Sequence, residues 1–174
     1  MIYILAVNEH RYQAINPSNN PYECEFHDYV LKHVRAKRIN HLAEEMNDEL
    51  LQSKYGADES VCRKLANALG LTHSMCELNT EERRQRGIKS RVDFMAEELW
   101  HGDGTESSEQ VDKKFRAYQR KQFDIRENAW LEKLQPHLSE NVLFVCGANH
   151  VNSFPRLLKS EGIESRVICK SWKP

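Results

Sequence analysis

Short apolar runs alternate along the chain with longer stretches in which apolar positions recur every three to four residues. Residues 2–7 (Ile-Tyr-Ile-Leu-Ala-Val) form an unbroken apolar run that stops at Asn8-Glu9-His10. A run this short, without polar alternation, predicts a strand buried on both faces. Asn20-Pro21-Tyr22-Glu23 predicts a helix start, with Asn20 as N-cap and Glu23 closing a capping box. The helix continues through Phe26, Val30 and Val34. Residues 39–45 predict a second strand ending in Glu44-Glu45, and residues 46–53 a short helix. Asp58 is placed as the cap of the next helix, which stops at Gly70. Residues 71–78 predict a third strand carrying His73.

Asn79-Thr80-Glu81-Glu82 predicts a second capping box, and Ile88, Val92, Met95 and Leu99 extend that helix by their spacing. Residues 101–108 are the least patterned stretch and the candidate lid. Residues 108–134 read as one long helix, with Phe115, Tyr118, Phe123, Ile125 and Trp130 on its apolar side. Residues 142–146 (Val-Leu-Phe-Val-Cys) are the clearest strand and end at Gly147-Ala148-Asn149-His150. A helix ending at Gly162 and a last strand over residues 166–170 complete the pattern. Strands alternating with helices predict one α/β domain over residues 1–174, a layered fold with a largely parallel central sheet flanked by helices.

Composition narrows the function classes. The chain has 174 residues, a net charge of −1, 40% apolar and 29% charged residues. Lys and Arg are spread along it without a basic stripe, which speaks against long nucleic acid as a partner. No apolar stretch approaches the roughly 20 residues of a membrane span. Five cysteines without paired spacing make a poor disulfide framework. Cys146 reads as a packed core residue rather than half of a Cys–His nucleophile pair. These features predict a cytoplasmic protein without a membrane partner.

Candidate chemistry sits at the strand ends. In open parallel sheets, ligands bind outside the carboxyl ends of the strands, and here those ends carry Glu9 and His10, Glu44 and Glu45, His73, and Asn149 and His150. Two imidazoles and a carboxylate make His10, Glu45 and His150 a candidate set for a divalent metal such as Mn, Zn or Co. The same groups suit proton transfer without one. Strand alternation sends only one of Glu44 and Glu45 to a given face. Arg126, on the helical face of Phe123 and Trp130, is a candidate anion holder or the partner of one of these glutamates. Gly147 permits a tight turn or close ligand approach, and the helix start after it would favour a negative group.

In that order, Val7-Asn8-Glu9-His10, Ala43-Glu44-Glu45, Arg126 with Trp130, and Gly147-Ala148-Asn149-His150 resemble the superfamily of TraB and Tiki proteins, erythromycin esterases and ChaN-like haem-uptake proteins. Val7 stands where that family has Gly. The resemblance implies an α/β sheet whose site combines two strand-end histidines, an acid and an Arg, with His10, Glu44 or Glu45, Arg126 and His150 as its members here. Activities in the group range from metal-dependent peptidase to metal-free esterase, with haem binding in one branch.

The leading expectation is therefore a hydrolase of a small-molecule or peptide substrate, metal-dependent or His/Glu-based. Glu44, Glu45, Arg126 and His150 are its candidate catalytic residues, and Arg126, His73 and Asn149 its candidate substrate contacts. The rival from another class is a non-catalytic module binding a small anion or haem. The chain is compact for the family it resembles, which makes a homodimer, with a second subunit covering the substrate, a further expectation.

Overall fold

The computed structural model describes residues 1–101 and 107–174. Its centre is an all-parallel sheet of five strands: β1 (Ile2–Val7), β2 (His41–Glu44), β3 (Thr72–Met75), β4 (Val142–Gly147) and β5 (Ser165–Trp172), in the order β3-β2-β4-β1-β5. The central strands β1 and β4 pair in register from Ile2↔Val142 to Val7↔Gly147. Their unbroken apolar character follows from this position, with a layer of helices on each face.

The two faces divide β1, β2 and β4 by parity. Leu5, Val7, Leu42, Leu143 and Val145 point to one side. There they meet helix α1 (Glu23–Lys37) through Phe26, Val30 and Val34, and helix α3 (Val61–Leu69) through Cys62 and Leu65. Ile4, Ala6, Ala43, Phe144 and Cys146 point to the other. They meet α7 (Phe123–Leu134) through Trp130, Leu131 and Leu134, and α8 (Phe154–Ser160) through Phe154 and Leu158. Cys146 is fully buried among them. The helix following β1 thus covers one face and the helix following β4 the other, although the two strands are neighbours. That divergence opens a crevice between their carboxyl ends, the switch point at which open α/β sheets bind ligands.

Several local expectations are corrected. Helix α1 begins at Glu23 with Tyr22 at its cap position. Asn20 is buried elsewhere, donating to the carbonyls of Tyr12 and Ala14. Helix α2 (Asp48–Tyr55) is capped by Asn47, and α3 by Ser60 rather than Asp58. The capping box at Asn79 is present, but its helix α4 (Thr80–Gln85) is short. Gly87, at φ 70°, turns the chain before α5 (Arg91–His101) starts. Ile88 packs with Leu78 and Ala129, whereas Val92, expected on an apolar face, is 77% exposed.

The expected single helix over residues 108–134 is two, α6 (Ser108–Lys121) and α7, broken at Gln122. Gln122 takes φ −90° and ψ 0°, and its N–H bonds back three residues to Gln119. Two packing demands meet at that break. α7 lies on the sheet, while Phe115 and Tyr118 of α6 pack at a tilt against Phe94 of α5. The candidate lid falls mostly on residues 102–106, outside the described residues. Among the described residues, no helix is long and apolar enough to cross a membrane.

Candidate active site

Directly above the β1/β4 crevice lies a cavity of about 900 Å³. Its floor is made of strand ends: His10, Glu45, Gly147, Asn149 and His150. Helix α2 contributes Leu50, Lys54 and Tyr55 to its wall, α6 contributes Arg116, Gln119 and Arg120, and α7 contributes Phe123 and Arg126.

Glu45 is the hub. It stands one residue past β2, where its N–H still bonds the Val145 carbonyl at 2.7 Å. Strand parity sends it with Ala43 to the α7 side. It is 4% exposed, yet both oxygens are engaged. Oε2 accepts the Gly147 N–H at 2.7 Å. Oε1 accepts from Arg126 Nη2 and lies 3.5 Å from His10 Nε2 and 3.6 Å from His150 Nε2. Burial works to raise the Glu45 pKa, but His10, Arg126, His150 and the Gly147 N–H together hold it down at about 2. It is a carboxylate at neutral pH.

Each imidazole is fixed from behind. His150 Nδ1 lies 2.7 Å from Glu127 Oε1. A carboxylate only accepts, so Nδ1 carries a proton there and a neutral ring presents the Nε2 lone pair to the cavity. Glu127 is buried and also accepts from Ser153 Oγ. The rings of Phe123 and Trp130 flank His150 with centroids 4.2 and 4.6 Å away. His10 sits in a 3-10 turn, His10–Gln13, where the buried Gln13 side chain donates to its Nδ1 at 2.8 Å.

Gly147 has a steric rather than conformational reason. Its φ of −69° is ordinary. A Cβ there, however, would lie 2.7 Å from His10 Nε2 and 3.4 Å from Glu45 Oε2. The glycine lets the two catalytic candidates close over the strand end. Its N–H donates to Glu45.

Arg126 is half a ligand holder at most. Nε and Nη2 both donate to Glu77, at 3.2 and 2.6 Å, and Nη2 also reaches Glu45. Only Nη1 faces elsewhere, 3.5 Å from His150 Nε2. The guanidinium also lies over the Trp130 ring at 5.3 Å. Burial opposes its charge, and the two glutamates outweigh burial and raise its pKa. Removing one partner of such a buried network costs about 3–5 kcal/mol.

Glu44 and His73 are elsewhere. Glu44 follows Leu42 to the α1/α3 side, accepts from Ser60 Oγ, and meets His73 Nε2 at 2.8 Å. The register Leu42↔His73 and Glu44↔Met75 puts His73 on that same face. Neither borders the cavity, so the expected roles of Glu44 in catalysis and His73 in substrate contact have no place in this site. Asn149 does border it, exposed at the rim.

Glu77, Tyr55, Arg116 and Arg120 escape a sequence reading. Glu77 falls inside the strand expected over residues 71–78, which in fact ends at Met75 and leaves this acid just past its end. Arg116 and Arg120 share a helical face with Gln119, which spacing alone reads as solvated.

A divalent metal fits this donor set poorly. Among the described residues, no group of three or more His, Cys, Asp or Glu side chains is arranged to hold one. The oxygen on which His10 and His150 converge already carries the Arg126 guanidinium, a fixed positive charge where a cation would sit. Comparison of the chain with protein-family models, with curated proteins and with solved structures yields no match.

Proposed function

We propose that the chain is a metal-free hydrolase of a small-molecule or peptide substrate, with His150 as general base and then general acid, and His10 as hydrogen-bond donor to the developing negative charge. One observation carries this reading. Two imidazoles, each anchored through Nδ1, converge through Nε2 on the same buried carboxylate oxygen at the floor of an open cavity. Glu127 orients His150 and stabilises the imidazolium that forms, as the carboxylate does in other carboxylate–imidazole pairs. With Nδ1 accepting from Gln13, His10 carries its proton on Nε2.

Water takes position beside His150 Nε2 and attacks the electrophilic centre of the scissile bond, passing its proton to that nitrogen. The bond to the leaving group breaks and the leaving group takes that proton back from His150 Nε2, while His10 Nε2–H donates a hydrogen bond to the negative charge that develops at the attacked centre. Glu45 accepts from His10 and compensates the charge that forms on His150, Arg126 fixes Glu45, and Asn149 supplies a polar contact at the rim. These residues coincide with those on which the TraB-like resemblance rests.

The test is a panel of p-nitrophenyl esters, p-nitrophenyl phosphate and fluorogenic peptides, run with wild type and His150→Ala, with and without EDTA. Turnover that ignores EDTA and falls about 10²- to 10⁴-fold in the variant is expected, with an unchanged far-UV CD spectrum. Turnover abolished by EDTA would return His10, Glu45 and His150 to the role of metal ligands. Equal activity in His150→Ala would overturn the assignment of the base. The cations around the cavity favour a second reading, an anion-binding module, and a wild type that binds anions but turns over nothing would establish it.

A further inference from the structure

The wall above the floor carries positive charge that the protein itself leaves unneutralised. Five cations border the cavity, Lys54, Arg83, Arg116, Arg120 and Arg126, against two carboxylates, Glu45 and Glu77. Both carboxylates are taken: Arg126 bonds the two of them, and Arg83 bonds Glu77 at 2.6 Å. Among the described residues, Lys54, Arg116 and Arg120 have no carboxylate partner, and Lys54 Nζ instead lies 5.4 Å over the Tyr55 ring. The nearby surface is different. There Arg86 pairs with Glu132, Arg91 with Asp112, and Lys133 with Glu82. Of the five cations at the cavity, only Arg83 and Arg126 are paired.

The placement on α6 is specific. Arg116, Gln119 and Arg120, at i, i+3 and i+4, occupy one helical face, and all three border the cavity. Phe115 and Tyr118 hold the helix against Phe94 from another side. Two guanidinium forks one turn apart, with an amide beside them and an ammonium across the cavity, present many N–H donors and no acidic acceptor. Guanidinium forks match phosphate oxygens two at a time. A carboxylate would neutralise one of the three unpaired charges, whereas a phosphate monoester brings about 1.5 to 2 negative charges and three acceptor oxygens. A cavity of about 900 Å³ suits a small molecule.

We propose that Arg116, Arg120 and Lys54 bind the phosphate group of a small phosphorylated substrate whose scissile bond lies at the His10–Glu45–His150 floor. This rests on the hydrolytic reading for the position of the reacting bond, but not for the anion site itself. The phosphate serves as the handle and the floor does the chemistry.

Calorimetric titration with inorganic phosphate at low ionic strength tests it on four proteins: wild type, the double variant Arg116→Gln/Arg120→Gln, Lys113→Gln and His150→Ala. Lys113 is exposed on the same helix and does not border the cavity, so its variant removes charge without removing a contact. Wild type is expected to bind phosphate saturably and acetate at least about tenfold more weakly. The double variant should lose about tenfold per arginine, while Lys113→Gln and His150→Ala bind as wild type does. No saturable binding by wild type, equal affinity in the double variant, or an equal loss in Lys113→Gln would overturn the proposal. The two readings fail separately. Phosphate binding without turnover of any substrate sinks hydrolysis and keeps the anion site. Turnover with an unchanged KM in the double variant sinks the anion site and keeps hydrolysis.

Discussion

Glu44 and Glu45 are neighbours in the chain, both almost fully buried, and each contacts histidine. They end in opposite environments. Glu44 lies under α3, closed in by Ser60 and His73, and its second oxygen has no hydrogen-bond partner among the described residues. Glu45 lies at the crevice between β1 and β4, with both oxygens engaged, and it borders the cavity. Residue type, burial and a histidine partner are common to both, so none of these makes a site. The difference is which face of the strand the side chain takes, and whether the helices beyond that face part or close.

Removing one charge at a time separates the two glutamates. Glu45→Gln should reduce turnover about 10³-fold, while Glu44→Gln leaves turnover within a few-fold and costs about 1–3 kcal/mol of stability as its hydrogen bonds are lost. Steady-state kinetics beside urea unfolding reads both numbers. Equal kinetic losses would mean that the two glutamates form one functional unit across the sheet.

Gly147→Ala probes how closely the Glu45 side is packed. The added methyl must push His10 aside, and His10, 27% exposed on its side chain, has room to swing outward. Turnover should fall roughly ten- to a hundredfold with a melting temperature near that of wild type. A large drop in stability instead would make His10 a structural residue.

The smallest effect is the acid dependence. The folded state holds the Glu45 pKa at about 2, below its ordinary 4.5. Its ionised form is therefore favoured by folding, and the contribution is complete above pH 4.5 and lost as the pH falls from 4.5 towards 2. The stability gap between wild type and Glu45→Gln should be constant from neutral pH down to about 5 and narrow below 4.5. A gap unchanged down to pH 2.5 would show that the gap comes from packing rather than charge.

Much of this frame was legible in the chain. The strands β1 and β4 were visible as short apolar runs because parallel strands covered on both faces leave no polar alternation to blur them, whereas the edge strands β3 and β5 are mixed in polarity and partly exposed. The strand-end histidines and Glu45 followed from where those runs stop. The side taken by Glu44 and Glu45 was not legible, since a period of two assigns opposite faces without saying which face opens. The pairing of Arg126 with Glu77 links residues 49 apart in sequence, and no local pattern encodes it. The break at Gln122 was hidden because apolar spacing runs through it without interruption. Only the separate partners of the two halves, the sheet for one and Phe94 for the other, disclose it.

That break also divides the cavity wall by local stability. α7 buries Glu127, Ala129, Trp130, Leu131 and Leu134, whereas α6 buries Val111 alone. Elements with few buried side chains open at lower free energy than the core. The cavity floor and the Arg126 network thus belong to the last part of the molecule to open, and Arg116 and Arg120 to a helix that can fray and re-form while that floor stays folded. Amide protons of α6 would exchange with solvent through such local openings, and those of α7 only when the sheet itself comes apart.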